Sequence, residues 1–166
     1  MGFVPFRFGE FAGNGAHAAK VREFVYYSFM SDLGLTHIAL PVADLRASVA
    51  FYAKYARMQV VHRRGDAEEG EVVWLSDRTR PFVVVLIGVK AVEHPLRPWA
   101  HLGVGCESRA EVDRLCEEAR AEGRLLKEPT DSGYPVGYWA LLGDPDGHTL
   151  ELSHGQEVGL TVERAD

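Results

Sequence analysis

The chain has 166 residues and a mass of 18.4 kDa, enough for one ordinary core but too little for separate cofactor and substrate domains. Its 46% hydrophobic and 25% charged residues are an average globular composition, which excludes disordered, collagen-like and disulfide-scaffold classes. A formal charge of −6 and a pI near 5.6 give phosphate backbones and anionic lipid little to hold, so no nucleic-acid and no membrane partner is expected.

Residues 1–33 are rich in Phe, Gly and Ala without a clear period and read as an N-terminal extension. Its aromatics, among them Phe3, Phe6, Phe8 and Phe11, either have no part in the fold or cover an apolar surface of the body or of a partner chain. Met30 is an alternative start. Arg7, Glu10 and Lys20 interrupt any signal-like apolar run, and nothing approaches the ~18 apolar residues of a membrane span. The expectation is a soluble cytoplasmic protein. Cys106 and Cys116 lack metal or redox spacing and are expected as buried, reduced thiols.

From Leu35 the signals become regular. The stretch from Leu35 to Val42 alternates as a strand, and Asp44 caps a helix whose Leu45, Ser48, Val49, Tyr52 and Tyr55 recur at helical spacing. Three short strands follow, Gln59 to Arg64, Glu71 to Ser76 and Phe82 to Gly88. A strand from His101 to Cys106 then leads to Ser108, with Glu111 three residues on. That capping-box pattern opens a helix carrying Val112, Leu115, Cys116 and Ala119 and closing at Gly123. Strands over Arg124 to Lys127, Val136 to Leu142 and His148 to Ser153 complete the body.

The order βαβββ therefore occurs twice, in modules of about 35–90 and 99–155 inside a domain of 34–156, with 157–166 left as a tail. His37 aligns with His101 at an offset of 64, and Val85 with Glu151 at an offset of 66 that absorbs a two-residue insertion. Strand side chains alternate, so His37 shares its face with Ala39 and Pro41, and His101 shares its face with Gly103 and Gly105. Small neighbours leave space beside each ring. Glu151, between Leu150 and Leu152, projects to the corresponding face. Each of the three has an ordinary structural reading alone, but two histidines and a carboxylate at equivalent repeat positions form a ligand set that leaves open coordination sites on a divalent metal. Fe2+, Mn2+, Zn2+, Ni2+ and Co2+ all suit it.

The segments L-T-H-I-A-L-P-V-A-D-L-x-x-S-V-A-F-Y from Leu35, H-L-G-V from His101 and G-D-P-D-G-H-T-L-E-L from Gly143 resemble the vicinal oxygen chelate (VOC) superfamily of glyoxalases, bleomycin- and fosfomycin-resistance proteins and extradiol dioxygenases. The resemblance covers about Leu35 to Gly155. It implies an α+β fold of two tandem βαβββ modules whose curved mixed sheets enclose a metal-binding cleft, with His37, His101 and Glu151 at the ligand positions. It implies an enzyme that activates a small organic substrate through vicinal oxygens, of lyase, isomerase, thiol-transferase or dioxygenase type. The alternative is a bleomycin-resistance-like module that sequesters a drug or hydrophobic metabolite without catalysis.

Departures from particular members narrow the chemistry. Glyoxalase I enzymes take a fourth protein ligand where this chain has Val85, which cannot ligate, so that activity is disfavoured. Dioxygenases and fosfomycin thiol transferases carry a tyrosine where this chain has Leu141. Tyr138, Tyr134 and His154 are the remaining candidates for proton transfer. Alternation sends Trp74, Trp139, Leu141 and Val85 toward the cleft as an apolar, partly aromatic substrate wall. A homodimer is expected, with His37 of one subunit completing the site of the other; closure within one chain is the alternative.

Overall fold

The computed structural model describes residues 34–66, 70–97 and 99–165. The expectations for the N-terminal extension lie outside these residues. By its contacts the chain divides into a unit of residues 1–34 and a unit of residues 35–166, and the elements below belong to the second.

Strand β1 (His37–Val42) leads into helix α1 (Leu45–Ala56), followed by β2 (Gln59–Arg64), β3 (Val72–Ser76) and β4 (Val83–Gly88). The second module repeats this as β5 (His101–Gly105), α2 (Arg109–Ala121), β6 (Leu125–Asp131), β7 (Tyr138–Gly143) and β8 (Thr149–His154). Helix α3 (Val158–Glu163) ends the described chain, where the sequence suggested only a tail. The strands form two separate four-stranded sheets, ordered β1-β4-β3-β2 and β5-β8-β7-β6. In each, the first and last strands of a module pair parallel and the remaining pairs are antiparallel. The fold is α+β, a tandem repeat of βαβββ.

Local chemistry accounts for the helices. The Asp44 carboxylate accepts from the Ala47 N–H at 3.0 Å, and α1 ends at Arg57, whose φ of 53° reverses the chain. Ser108 Oγ accepts from the Glu111 N–H at 3.1 Å, while Glu111 reaches back to the Glu107 N–H at 2.8 Å. These bonds satisfy N-terminal amides that have no partner inside the helix.

Alternation sorts the strand faces as expected. Leu40 and Val42 of β1, Val73 and Leu75 of β3, and Val84 and Leu86 of β4 are buried beside Phe51, Tyr52 and Tyr55 of α1. Val112, Leu115, Cys116 and Ala119 of α2 are buried with Ala140, Leu142, Leu150 and Leu152. Strand β6 runs on to Asp131 rather than stopping at Lys127. It is an edge strand, where Pro129 deprives no neighbour of a donor. Cys116 is buried as expected, but Cys106 is only half-buried; both are free thiols. Among the described residues, no helix is long and apolar enough to cross a membrane.

The turn from Asp144 to His148 joins the modules. Tyr52 Oη donates to Asp144 Oδ2 at 3.1 Å, and Asp146 accepts from the Ala43 N–H at 3.1 Å and from Ser48 Oγ at 3.4 Å. His148 is buried. Its Nδ1 accepts from the Leu96 N–H and its Nε2 donates to the Pro41 carbonyl. Lys54 pairs with Glu118 and Glu122, and Arg57 with Glu107 and Glu111. These contacts between the modules run from α1 and the end of β1 to α2 and the Asp144–His148 turn.

Candidate metal centre

The register of the sheets places the repeat in space. Ala39 stands opposite Val85 in the first sheet and Gly103 opposite Glu151 in the second. On the other side of the same strands, Trp74 pairs with Val85 and Leu141 with Glu151. The alignment that set Val85 against Glu151 is reproduced by the backbone pairing itself, and Trp74 and Leu141 fall at matching positions.

His101 and Glu151 come together on neighbouring parallel strands. His101 Nε2 lies 3.5 Å from Glu151 Oε2, with the imidazole partly exposed and the carboxylate buried. His101 Nδ1 is 2.8 Å from the Trp99 carbonyl. That oxygen can only accept, so Nδ1 carries a proton and Nε2 is the nitrogen turned toward the carboxylate. Two electron-pair donors facing each other at this distance require a positive centre between them, either a second proton on the ring or a cation. Donors bonded to one cation at about 2.1 Å with a near-tetrahedral angle stand about 3.4 Å apart, so the pair fits a metal.

The face around His101 is open. A Cβ added at Gly103 or Gly105 would meet no atom within 4 Å. A cavity of about 730 Å³ reaches His101 and Gly103, bounded by Met58, Arg80, Phe82 and Val84. Thr149, paired with His101 across the ladder, is buried, and its hydroxyl has no hydrogen-bond partner.

His37 stands on β1 of the other sheet, exposed, with its Nδ1 3.0 Å from Thr36 Oγ1. Within the single chain it does not join His101 and Glu151, and no group of three His, Cys, Asp or Glu residues is arranged to hold a metal among the described residues. The expected substrate wall is likewise divided. Trp74 and Val85 lie in the first sheet, and Trp139 and Leu141 in the second. Trp74 is 38% exposed and meets His62 edge-on, while Trp139 donates to Ser132 Oγ and lies under Lys127.

Two proton-transfer candidates are misplaced. Tyr138 pairs with His154, three positions along β7 from Leu141 and three along β8 from Glu151, so both fall on the opposite face. Tyr138 Oη donates to Asp113 of α2 at 2.6 Å, and that bond pushes its pKa up to about 12. His154 Nδ1 donates to the Cys106 carbonyl at 3.1 Å. Tyr134 is 70% exposed in the loop between β6 and β7.

One contact had no sequence signal beyond its position after Gly155. Gln156 Nε2 donates to Glu151 Oε1 at 2.7 Å.

Comparison with known proteins agrees with this architecture. Residues 34–152 match the family model of the glyoxalase/bleomycin resistance protein/dioxygenase superfamily. An uncharacterized protein of Pseudomonas aeruginosa is 39% identical over 128 residues, which span 75% of this chain and 91% of that protein. A structure described as a possible glyoxalase from Bacillus cereus is similar with a TM-score of 0.57 and 28% identity, covering 73% of this chain and 98% of the other. A mutant of the fosfomycin resistance protein FosX from Listeria monocytogenes, solved with Mn(II) and 1S,2S-dihydroxypropylphosphonic acid, has a TM-score of 0.59 at 22% identity. It covers 80% of this chain and 99% of its own, a likeness of fold alone. The chain belongs to the glyoxalase/bleomycin resistance protein/dioxygenase superfamily, also called the vicinal oxygen chelate superfamily.

Proposed function

We propose that this chain is a metal-dependent enzyme in which His37, His101 and Glu151 hold one divalent cation and a small organic substrate binds through two adjacent oxygens. The observation that carries the reading is the 3.5 Å approach of His101 Nε2 to Glu151 Oε2, with His101 Nδ1 held by the Trp99 carbonyl. A bound cation supplies Lewis-acid polarisation of the substrate oxygens. The chain's residues do the rest. The Trp99 carbonyl orients the His101 ring, the buried Glu151 presents a carboxyl oxygen beside it, and the bare strand surface at Gly103 and Gly105 leaves room for substrate. Fe2+, Mn2+, Zn2+, Ni2+ and Co2+ remain the candidates, and lyase, isomerase, thiol-transferase and dioxygenase chemistry remain the reaction classes. Val85 disfavours glyoxalase I, and Tyr134 is the phenol left to move a proton.

The working unit is a homodimer of the 34–156 domain. His37 and Trp74 of one copy face His101, Glu151 and Trp139 of another, because within a chain the contacts between the modules run from α1 and the end of β1 while His37 stays exposed. The second reading, a module that sequesters an apolar ligand, draws on Trp74 and Ile87, which are 38% and 39% exposed on that face.

Elemental analysis of protein purified without chelator separates the readings. The enzyme reading expects one divalent ion per His37/His101/Glu151 site and its loss in His101→Ala with the fold retained. Metal-free wild-type protein that still binds apolar ligands, or metal content unaltered in His101→Ala, would overturn it.

A further inference from the structure

The chain reverses directly after β8, at Gly155 with φ +81°. The reversal brings the side chain of Gln156 back over the strand it has just left, so that Gln156 Nε2 lies 2.7 Å from Glu151 Oε1. On its other side, Gln156 Oε1 accepts from Ser153 Oγ at 3.1 Å. The orientation of the amide follows from the chemistry of its neighbours: the carboxylate can only accept, so the NH₂ group faces Glu151 and the oxygen faces the serine hydroxyl.

The backbone of this segment is held from the opposite side. Gly137, with φ +77°, lies so close that a Cβ there would stand 2.4 Å from the His154 carbonyl oxygen and 3.0 Å from the Gln156 nitrogen. His154 is tied in turn to the Cys106 carbonyl at the end of β5. The turn is thus packed against two other segments, and the amide belongs to a built arrangement.

We infer that Gln156 is a positioning residue of the proposed metal centre, holding Oε1 of Glu151 so that Oε2 alone is presented beside His101 Nε2. This rests on the metal reading given above. Both oxygens of a carboxylate are equivalent until one is engaged, and a free carboxylate rotates about its terminal bond. With Oε1 committed to the Gln156 amide, the rotation stops and Glu151 offers one donor atom. Ser153, on the same strand face as Glu151, holds the other end of the amide, its hydroxyl shared between Gln156 Oε1 at 3.1 Å and the Val104 carbonyl at 3.3 Å. Groups that orient a metal ligand in this way commonly contribute about 10- to 100-fold in metal affinity.

The test is titration of the full metal-free chain with Co(II), followed by visible absorption, for wild type, Gln156→Met, Ser153→Ala and His101→Ala. Methionine matches the reach of glutamine but has no N–H. The expected result is Co(II) binding weakened about 10- to 100-fold in Gln156→Met, by a smaller factor in Ser153→Ala, and abolished in His101→Ala. The near-UV circular dichroism of the metal-free variants should match wild type. If Gln156→Met binds Co(II) within about twofold of wild type while His101→Ala does not bind, the inference falls and the metal reading stands. Should Gln156→Met fail to fold, Ser153→Ala decides, and unaltered affinity there overturns the inference. Wild-type protein that takes up no Co(II) overturns both.

Discussion

His101 and Glu151 face each other across neighbouring parallel strands with Nε2 and Oε2 3.5 Å apart, whereas the equivalent positions of the first module hold His37 and Val85. The repeat is therefore chemically asymmetric. One module supplies an imidazole and a carboxylate, and the other supplies an imidazole alone. The proposed three-ligand centre would draw His37 from one module and His101 with Glu151 from the other, and within one chain α1 contacts Asp144, Asp146, Glu118 and Glu122 of the second module.

Mixing a His37→Ala chain with a Glu151→Ala chain should therefore restore one intact site per mixed dimer, formed by His37 of the Glu151→Ala chain with His101 and Glu151 of the His37→Ala chain. The second site carries both defects. Metal content of the mixed species, separated by differently tagged subunits, measures it. A chain that sediments as a monomer at micromolar concentration, or a mixed dimer that recovers no metal, rules the exchange out.

Turnover of the methylglyoxal–glutathione hemithioacetal should lie below about 1 per second, the lower end of ordinary enzyme rates. Val85 stands across the ladder from Ala39 and Trp74 and brings no donor atom. Isomerisation of the hemithioacetal at an ordinary enzymatic rate would show that three protein ligands suffice and that Val85 does not exclude this chemistry.

Replacing Tyr52 by Phe should cost about 1.5–3 kcal/mol, the range for a hydrogen bond to a charged group, because Oδ2 of buried Asp144 loses its donor while Oδ1 keeps the Asp146 and His148 N–H groups. Burial, and next the Asp144 carboxylate, hold the Tyr52 pKa far above its ordinary value of 10. In the unfolded chain the phenol ionises near that value, while in the folded chain it stays protonated. The contribution is complete below about pH 10 and declines as pH rises above it. Urea unfolding should show the wild type losing stability above pH 10 faster than Tyr52→Phe, so that the gap between them narrows. Parallel pH profiles would mean that Tyr52 ionises freely in the fold.

Thr149→Val should stabilise the protein by about 1 kcal/mol, because the threonine hydroxyl is buried without a partner and valine has the same shape. The urea midpoint should rise with an unchanged slope. A fall in the midpoint would show that the hydroxyl is hydrogen-bonded in solution.

Much of this was legible in the amino-acid order because it depends on local periodicity. The period-two alternation separating His37 and Ala39 from Leu40 and Val42, the Asp44 and Ser108 caps, and the offsets joining Val85 to Glu151 all rest on neighbours a few residues apart or on repetition. The positions of His37, His101 and Glu151 on their strand faces follow from the same rule. Tyr138 was also readable in principle, since its parity against Leu141 already sent it to the helix side.

What the order of residues did not contain is which surfaces meet. His148 reads as a polar residue after a turn, yet it is buried because the Leu96 amide and the Pro41 carbonyl converge on its two nitrogens from distant parts of the chain. Gln156 reads as a polar residue beyond the last strand, and it reaches Glu151 only because Gly155 reverses the backbone while Gly137 lets another loop press against the turn. The joining of the modules through Tyr52 and Asp144 is of the same kind. Local pattern determines which face a side chain takes, but the partner on that face is selected by long-range packing, where buried polar groups must find one another or lose the hydrogen bonds that water would have given them.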